Sequence, residues 1–266
     1  MSVNLKTLCL DVVELVREVG IQIKIEEQRI SEEDIEVKSL NSLVSYVDKM
    51  AEEHLVKGLS ELLPEAGYIA EEGTSDKKGE RYNWIIDPLD GTTNFLHKLP
   101  VYSVSVALQD KEEIILGVVF EINRDECFYG WKNGGAFLNN QPIKVSSNSE
   151  LKDSLLATGF PYYDYERVDA YFGLLKDLAH NSRGIRRMGS AAVDLVYVAC
   201  GRFDAFFEYS LHPWDVAAGA LIVKEGGGTI CDFSGNDNWL FGKEILASNP
   251  VIYNAISKKV SDFMRA

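Results

Sequence analysis

The chain has 266 residues, 46% of them hydrophobic and 26% charged, with only seven prolines. That is the composition of a folded globular protein and excludes a disordered or collagen-like one. Its 27 basic and 41 acidic residues give a net charge of −14, which repels phosphodiester backbones and argues against a general nucleic-acid binder.

From the N-terminus, Leu5, Leu8, Val12, Leu15, Val19 and Ile23 recur at helical spacing, with no charged-then-apolar leader before them. Val47, Ala51, Leu55, Leu59 and Leu62 form a second helical stripe, stopped by Pro64 and Gly67. Tyr68–Ala70 and Tyr82–Ile86 are short strand-like runs, each leading into carboxylates. Val101–Leu108, Ile114–Phe120 and Glu126–Trp131 read as a meander joined by polar turns. In the second half, Leu155–Thr158, Ala205–Phe207 and Ile245–Ala247 read as strands. Tyr165–Ala179, Ser190–Ala199, Trp214–Glu225 and the stretch from Ile252 to Phe263 read as helices. Helices and antiparallel strands interleave without a regular βαβ period, which predicts a layered α+β fold rather than a dinucleotide-binding sheet or an eight-fold barrel. No linker marks a boundary, so one unit of two packed halves, about 1–150 and 151–266, is expected.

Cys9, Cys127, Cys200 and Cys231 are too scattered for a zinc finger or a C-x-x-C pair and read as reduced core residues. The longest apolar runs, Ile114–Phe120 and Val216–Val223, fall far short of the roughly 18 residues that span a bilayer, so a soluble cytoplasmic protein without membrane contact is expected. P-loop, G-x-G-x-x-G and G-x-S-x-G motifs are all absent, and the four histidines are dispersed.

What remains is carboxylate chemistry. In Trp84-Ile85-Ile86-Asp87-Pro88-Leu89-Asp90-Gly91-Thr92-Thr93-Asn94-Phe95 an apolar strand runs into two aspartates on a stiff turn, followed by a Gly-Thr-Thr stretch rich in amides and hydroxyls. Paired carboxylates can bridge hard divalent cations, and such a turn can aim N–H groups at an anion. The same pattern also suits a solvated β-turn. Glu71-Glu72-Gly73 ends one strand, and Asp215 follows His212-Pro213-Trp214 at a helix start, where it could be a simple first-turn acid. The alternating oxygens of Asp232–Asn238 lack the closing glutamate of a calcium loop and read as a hairpin turn.

Taken in order, Glu71-Glu72, Trp84–Phe95, Gly184-Ile185-Arg186 with Gly189-Ser190-Ala191-Ala192, and Trp214-Asp215-Val216-Ala217-Ala218-Gly219 resemble the inositol monophosphatase family over essentially the whole chain. The resemblance implies an αβαβα sandwich of the inositol monophosphatase and fructose-1,6-bisphosphatase type, a homodimer, and a lithium-sensitive phosphatase using two or three Mg²⁺ ions. It implies that Glu71, Asp87 and the Leu89 carbonyl hold one ion and that Asp87, Asp90 and Asp215 hold the second. Thr92 and Glu71 would orient the attacking water, Asp48 would support Thr92, and the Gly91 and Thr92 amides would hold phosphate. Asp90, Gly189, Ser190, Ala191, Glu208 and Asp215 would meet the substrate, a small phosphomonoester for which inositol-1-phosphate is the leading candidate. Fructose-1,6-bisphosphate, histidinol phosphate and 3′-phosphoadenosine-5′-phosphate are the alternatives, and Thr93-Asn94-Phe95 favours the inositol branch. An added protein-interaction role is the non-enzymatic alternative. Leu43-Val44-Ser45, flanked by Lys38 and Asp48, resembles the family's mobile loop and the start of its second helix, with Ser42 and Ser45 departing from the usual aspartate and threonine. Arg186 and Arg187 read as structural or interface residues.

Overall fold

The computed structural model describes residues 3–30, 35–39, 42–161 and 164–265, with residues 35–39 and 42–44 described by their backbone alone. Helices α1 (Leu5–Glu26) and α2 (Tyr46–Leu62) form the first layer. Asn4 caps α1 by accepting from the Thr7 N–H at 3.2 Å, and the predicted stripe of Leu8, Val12, Val19 and Ile23 is buried. Between the two helices lies a hairpin of β1 (Ile35–Ser39) and β2 (Ser42–Ser45), where the sequence suggested a loop.

The second layer is a seven-stranded sheet in chain order: β3 (Gly67–Ala70), β4 (Tyr82–Asp90), β5 (Ser103–Asp110), β6 (Glu113–Glu121), β7 (Glu126–Trp131), β8 (Gly135–Leu138) and β9 (Gln141–Ile143). Only β3 and β4 are parallel. Trp84, Val104, Val106, Leu116, Val118 and Cys127 point from it towards α1 and α2, while Ile85, Ala107, Val119 and Phe128 point the other way, the period-2 alternation of a sheet covered on both faces. The short β8 and β9 lie among Gly134, Gly135, Asn139, Asn140 and Pro142, turn residues that hide them in the sequence pattern.

The third layer is a helix pair, α5 (Ala191–Ala199) and α6 (Pro213–Glu225). Both are apolar on nearly every side, as a helix between two sheets must be. Their fit is close. A Cβ on Gly117 of β6 would lie 2.7 Å from the Ala218 carbonyl oxygen, and one on Gly219 would lie 2.6 Å from Leu195 Cβ.

The fourth layer contains β10 (Leu155–Thr158), β11 (Gly184–Arg186), β12 (Ala205–Tyr209), β13 (Thr229–Cys231) and β14 (Glu244–Ser248) in the order β11-β10-β12-β14-β13. Here β10 runs parallel to β11 and β12, and β14 antiparallel to β12 and β13. Phe206, Ile245 and Ala247 face the helix pair; Phe207, Tyr209 and Leu246 face the last layer, α4 (Val168–Asn181) and α7 (Tyr253–Met264). α3 (Thr92–Leu96) is a single short turn after β4. Three hydrophobic cores fill the four spaces between five layers, the second of them wrapping both sides of the α5–α6 pair, and the result is the αβαβα sandwich expected. Asp232 opens the connection between β13 and β14, its Oδ1 accepting from the Ser234 and Asn236 N–H groups, in keeping with a hairpin turn. Cys9, Cys127 and Cys231 are buried and Cys200 partly so, all as free thiols.

Candidate active site

Strand register places the first pair of carboxyls. Ala70 of β3 lies opposite Ile86 of the parallel β4, and the Glu71 N–H donates to the Ile86 carbonyl at 3.2 Å, so Glu71 and Asp87 come side by side where β3 ends. β4 then bulges: Asp87 pairs with Ser105 but Asp90 with Ser103, giving β4 one residue more than β5. The turn read from sequence is therefore a bulge inside the strand. Pro88 sits where the ladder is already interrupted, and Asp87 Oδ1 accepts from the Leu89 N–H at 3.0 Å. Gly91 has φ +94°, and a Cβ there would lie 3.1 Å from the carbonyl oxygens of both Gly189 and Val101. Only glycine meets both demands.

Two helix starts complete the cluster. Asp90 Oδ2 accepts from the Ser190 hydroxyl and from the Ala192 N–H at 2.8 Å, which docks the bulge onto α5. Ser190 also caps α5 by accepting from the Val193 N–H at 3.3 Å, so its capping and site positions coincide. Asp215, third residue of α6, turns Oδ2 back to the His212 N–H at 2.6 Å. Asp87, Asp90 and Asp215 thereby each offer a carboxylate oxygen within 4.8 Å of the others.

That crowding has an electrostatic consequence. Burial, then repulsion from Glu71, Asp90 and Asp215, holds the Asp87 carboxyl well above the usual range. Burial and Asp90 do the same to Asp215. Burial pushes Asp90 up to about 6, with the Ser190 hydroxyl, the α5 N–H groups and Arg187 opposing the rise. Three hard oxygen donors in a buried, charge-starved pocket with no sulfur or imidazole among them fit a divalent cation of the Mg²⁺ type.

These groups open into one cleft, which Glu71, Leu89, Gly91, Thr92, Gly189, Ser190, Ala191 and Glu208 also line. Asp48 reaches it through Thr92. Its carboxylate is 1% exposed, accepts from the Ser45 N–H and hydroxyl at 2.8 Å each, and lies 3.0 Å from Thr92 Oγ1. Thr92 Oγ1 also lies 2.9 Å from the Leu89 carbonyl oxygen. Glu208, next to last in the buried strand β12, has its carboxyl in the cleft, where burial pushes it up to about 8. The Lys38 side chain, named in the loop resemblance, lies outside the described residues.

Sequence reasoning missed three contributors. Arg187, expected to be structural, lines the cleft, and its charge lowers the pKa of Asp90 and Glu208. Gly159 lines it beside Glu208. Fully buried Glu52 on α2 accepts from the Glu72 and Thr74 N–H groups at 2.7 Å each and so holds the loop that leaves Glu71. Asn94, used above to choose a substrate branch, is a wall tie: its amide donates to the carbonyls of Val101 (2.7 Å) and Met188 (2.8 Å).

The model of the inositol monophosphatase family matches residues 6–265. The chain is 37% identical to inositol-1-monophosphatase of Mesorhizobium japonicum over 227 residues, 85% of each chain. It is 39% identical to the Nus factor SuhB of Escherichia coli over 226 residues, again 85% of each chain. The solved structure of the Thermotoga maritima IMPase superposes with a TM-score of 0.86 at 36% identity, covering 95% of this chain and 96% of that one.

Proposed function

Because the chain belongs to the inositol monophosphatase family, we propose that it is a metal-dependent phosphomonoesterase releasing inorganic phosphate from inositol-1-phosphate or a similar polyol phosphate. The observation that carries this reading is the convergence of the Asp87, Asp90 and Asp215 oxygens within 4.8 Å at the floor of a cleft that also holds Glu71, Thr92 and Glu208.

Glu71, Asp87 and the Leu89 carbonyl would hold one Mg²⁺ ion, and Asp87, Asp90 and Asp215 a second. Bound there, such ions lower the pKa of water and neutralise charge on a transferring phosphoryl group. Thr92 has one hydroxyl proton and two acceptors, Asp48 and the Leu89 carbonyl, in reach. It therefore donates to one of these and keeps lone pairs to accept from the attacking water. Glu71 lies beside Asp87 and accepts from the same water. The amides of Gly91 and Thr92 take phosphoryl oxygens. As the water oxygen bonds to phosphorus, the ester bond to the alcohol breaks, and no side chain becomes phosphorylated. Glu208, with Asp90 and the Gly189-Ser190-Ala191 segment, meets the polyol hydroxyls.

A phosphate-release panel tests the proposal. Inositol-1-phosphate should turn over fastest with Mg²⁺, stop in excess EDTA and resume when Mg²⁺ is restored. Full turnover in EDTA would overturn the metal role. Fastest release from fructose-1,6-bisphosphate, histidinol phosphate or 3′-phosphoadenosine-5′-phosphate would reassign the substrate. Lithium inhibition and a homodimer are further parts of the proposal. The Nus factor name of several relatives supports a second, protein-interaction role alongside catalysis.

A further inference from the structure

The two sheets present their parallel strand pairs to the cleft in the same way. In the first, Glu71 and Asp87 follow the paired Ala70 and Ile86. In the second, Gly159 and Glu208 follow the paired Thr158 and Phe207. Where the first pair is two carboxyls, the second is a carboxyl beside a residue without a side chain, and both members line the cleft.

Gly159 is not there for backbone freedom, since its φ lies outside the left-handed region. It is there for space. A Cβ at 159 would fall 2.0–2.1 Å from Oε1, Cδ and Oε2 of Glu208, so the Glu208 carboxyl occupies the volume a side chain would fill. Below this pair a buried hydroxyl couple fixes the two peptides concerned. Tyr171 of α4 is fully buried, and its hydroxyl lies 3.1 Å from the carbonyl oxygens of both Gly159 and Phe207. Thr158 Oγ1 contacts the Tyr171 hydroxyl and lies 2.9 Å from the Phe207 carbonyl oxygen. Two hydroxyl protons serve two carbonyls at the end of the β10–β12 ladder, one from Gly159 itself and one from the residue before Glu208. Packing of Tyr171 edge-on to Phe207 and Tyr209, with centroids 5.8 and 5.0 Å apart, leaves the phenol no other place.

We propose that Gly159 sets substrate specificity by leaving the Glu208 carboxyl its place in the cleft, and that Tyr171 is a positioning residue that holds Gly159 and Glu208 in register. The inference rests on the reading of Glu208 as the group that meets polyol hydroxyls. It assigns selection for hydroxyl-bearing phosphomonoesters to a glycine outside the metal cluster.

The atoms that Gly159→Ala displaces are the far end of a flexible side chain, so the variant folds by moving Glu208 rather than by opening the sheet. The readout is the ratio of kcat/KM for inositol-1-phosphate to that for an aryl phosphate, which offers no hydroxyls. In Gly159→Ala this ratio should fall roughly tenfold or more, the scale of one misplaced hydrogen bond to a charged or strongly polar group. Tyr171→Phe should lower it in the same direction by less. The deciding comparison is the double-mutant cycle with Glu208→Ala, where Gly159→Ala should produce no further fall because there is no carboxyl left to displace. An undiminished fall in the Glu208→Ala background would show that the methyl group simply obstructs the cleft, and would overturn the inference. An unchanged ratio in Gly159→Ala would do the same. If the wild type itself shows no preference for inositol-1-phosphate over the aryl phosphate, the reading of Glu208 fails first and takes the inference with it.

Discussion

Asp48 and Glu52, one turn apart on α2, each hold one of the segments that line the cleft. Asp48 lies 3.0 Å from the Thr92 hydroxyl, and Glu52 accepts 2.7 Å hydrogen bonds from the Glu72 and Thr74 amides. One helix thus sets the position of both groups proposed to hold the attacking water. Both carboxylates are buried, and each is spent on protein partners rather than on the cleft.

Glu52→Ala should therefore act at a distance. It leaves two amides without their acceptor, costing about 1–3 kcal/mol of stability, and frees the loop that carries Glu71. The Mg²⁺ concentration needed for half-maximal rate should rise more than the rate at saturating Mg²⁺ falls. Glu52→Gln, which keeps one acceptor oxygen, should recover part of both. A variant with unchanged metal dependence would show that the loop is held by other contacts.

Much of this was legible in the sequence because the signals were local. The α1 stripe, the α2 stripe with its Pro64 and Gly67 stop, the meander with its polar turns from β5 to β7, and the apolar run of α5 each appear within a few residues of their expected place. Asp87 and Asp90 were readable because they follow an apolar strand, and Asp215 because it sits beside Trp214 at the entry to an apolar helix. Glu52 and Gly159 were not. Glu52 looks like any exposed helix glutamate until the loop after β3 folds over it, and Gly159 gains its meaning only when β12 pairs beside β10. Asp87–Asp90 had the composition of a turn but stays in the sheet, because β5 supplies partners on both sides of the bulge.

Metal removal should weaken the fold as well as stop turnover. Asp87, Asp90 and Asp215 bring their carboxylates within 4.8 Å of one another in a buried site, where they repel one another. A divalent ion that binds only the folded state stabilises it by mass action, about 2.7 kcal/mol at a hundred times its Kd. Thermal melts in EDTA and in Mg²⁺ should differ by several degrees. Equal melting temperatures would mean that the ion does not bind this cluster.

Asp90→Asn separates a turn residue from a functional one. The amide keeps the side chain's size and can still accept through one oxygen from Ser190 or the Ala192 N–H, so the bulge should stay docked on α5. It removes one negative charge from the proposed metal site. The expected loss in kcat is on the order of a hundredfold or more, with little change in melting temperature in EDTA. Wild-type kcat in the purified variant would confine Asp90 to architecture.

Glu208 gives a pH signature that can be read without substrate. Its carboxyl is pushed up to about 8 by burial, with Asp90 adding to the rise and Arg187 opposing it, whereas in the unfolded chain it titrates near 4.5. Between those values the folded state keeps a proton that the unfolded state has released. The unfolded state then binds fewer protons, so stability falls as pH rises, the reverse of a salt-bridged carboxylate. In EDTA, the melting temperature of the wild type should therefore decline from about pH 5 to pH 8 and level off above the folded-state value. Glu208→Gln cannot ionise, so it removes this contribution: its decline should be shallower, and its melting temperature at pH 8 should exceed the wild type's. Asp194, Asp87, Asp90 and Asp215, all raised by burial, titrate in the same direction and keep some of the slope in the variant. Parallel curves for the two proteins would mean that Glu208 is ionised in the folded state at neutral pH, with its charge met by Arg187.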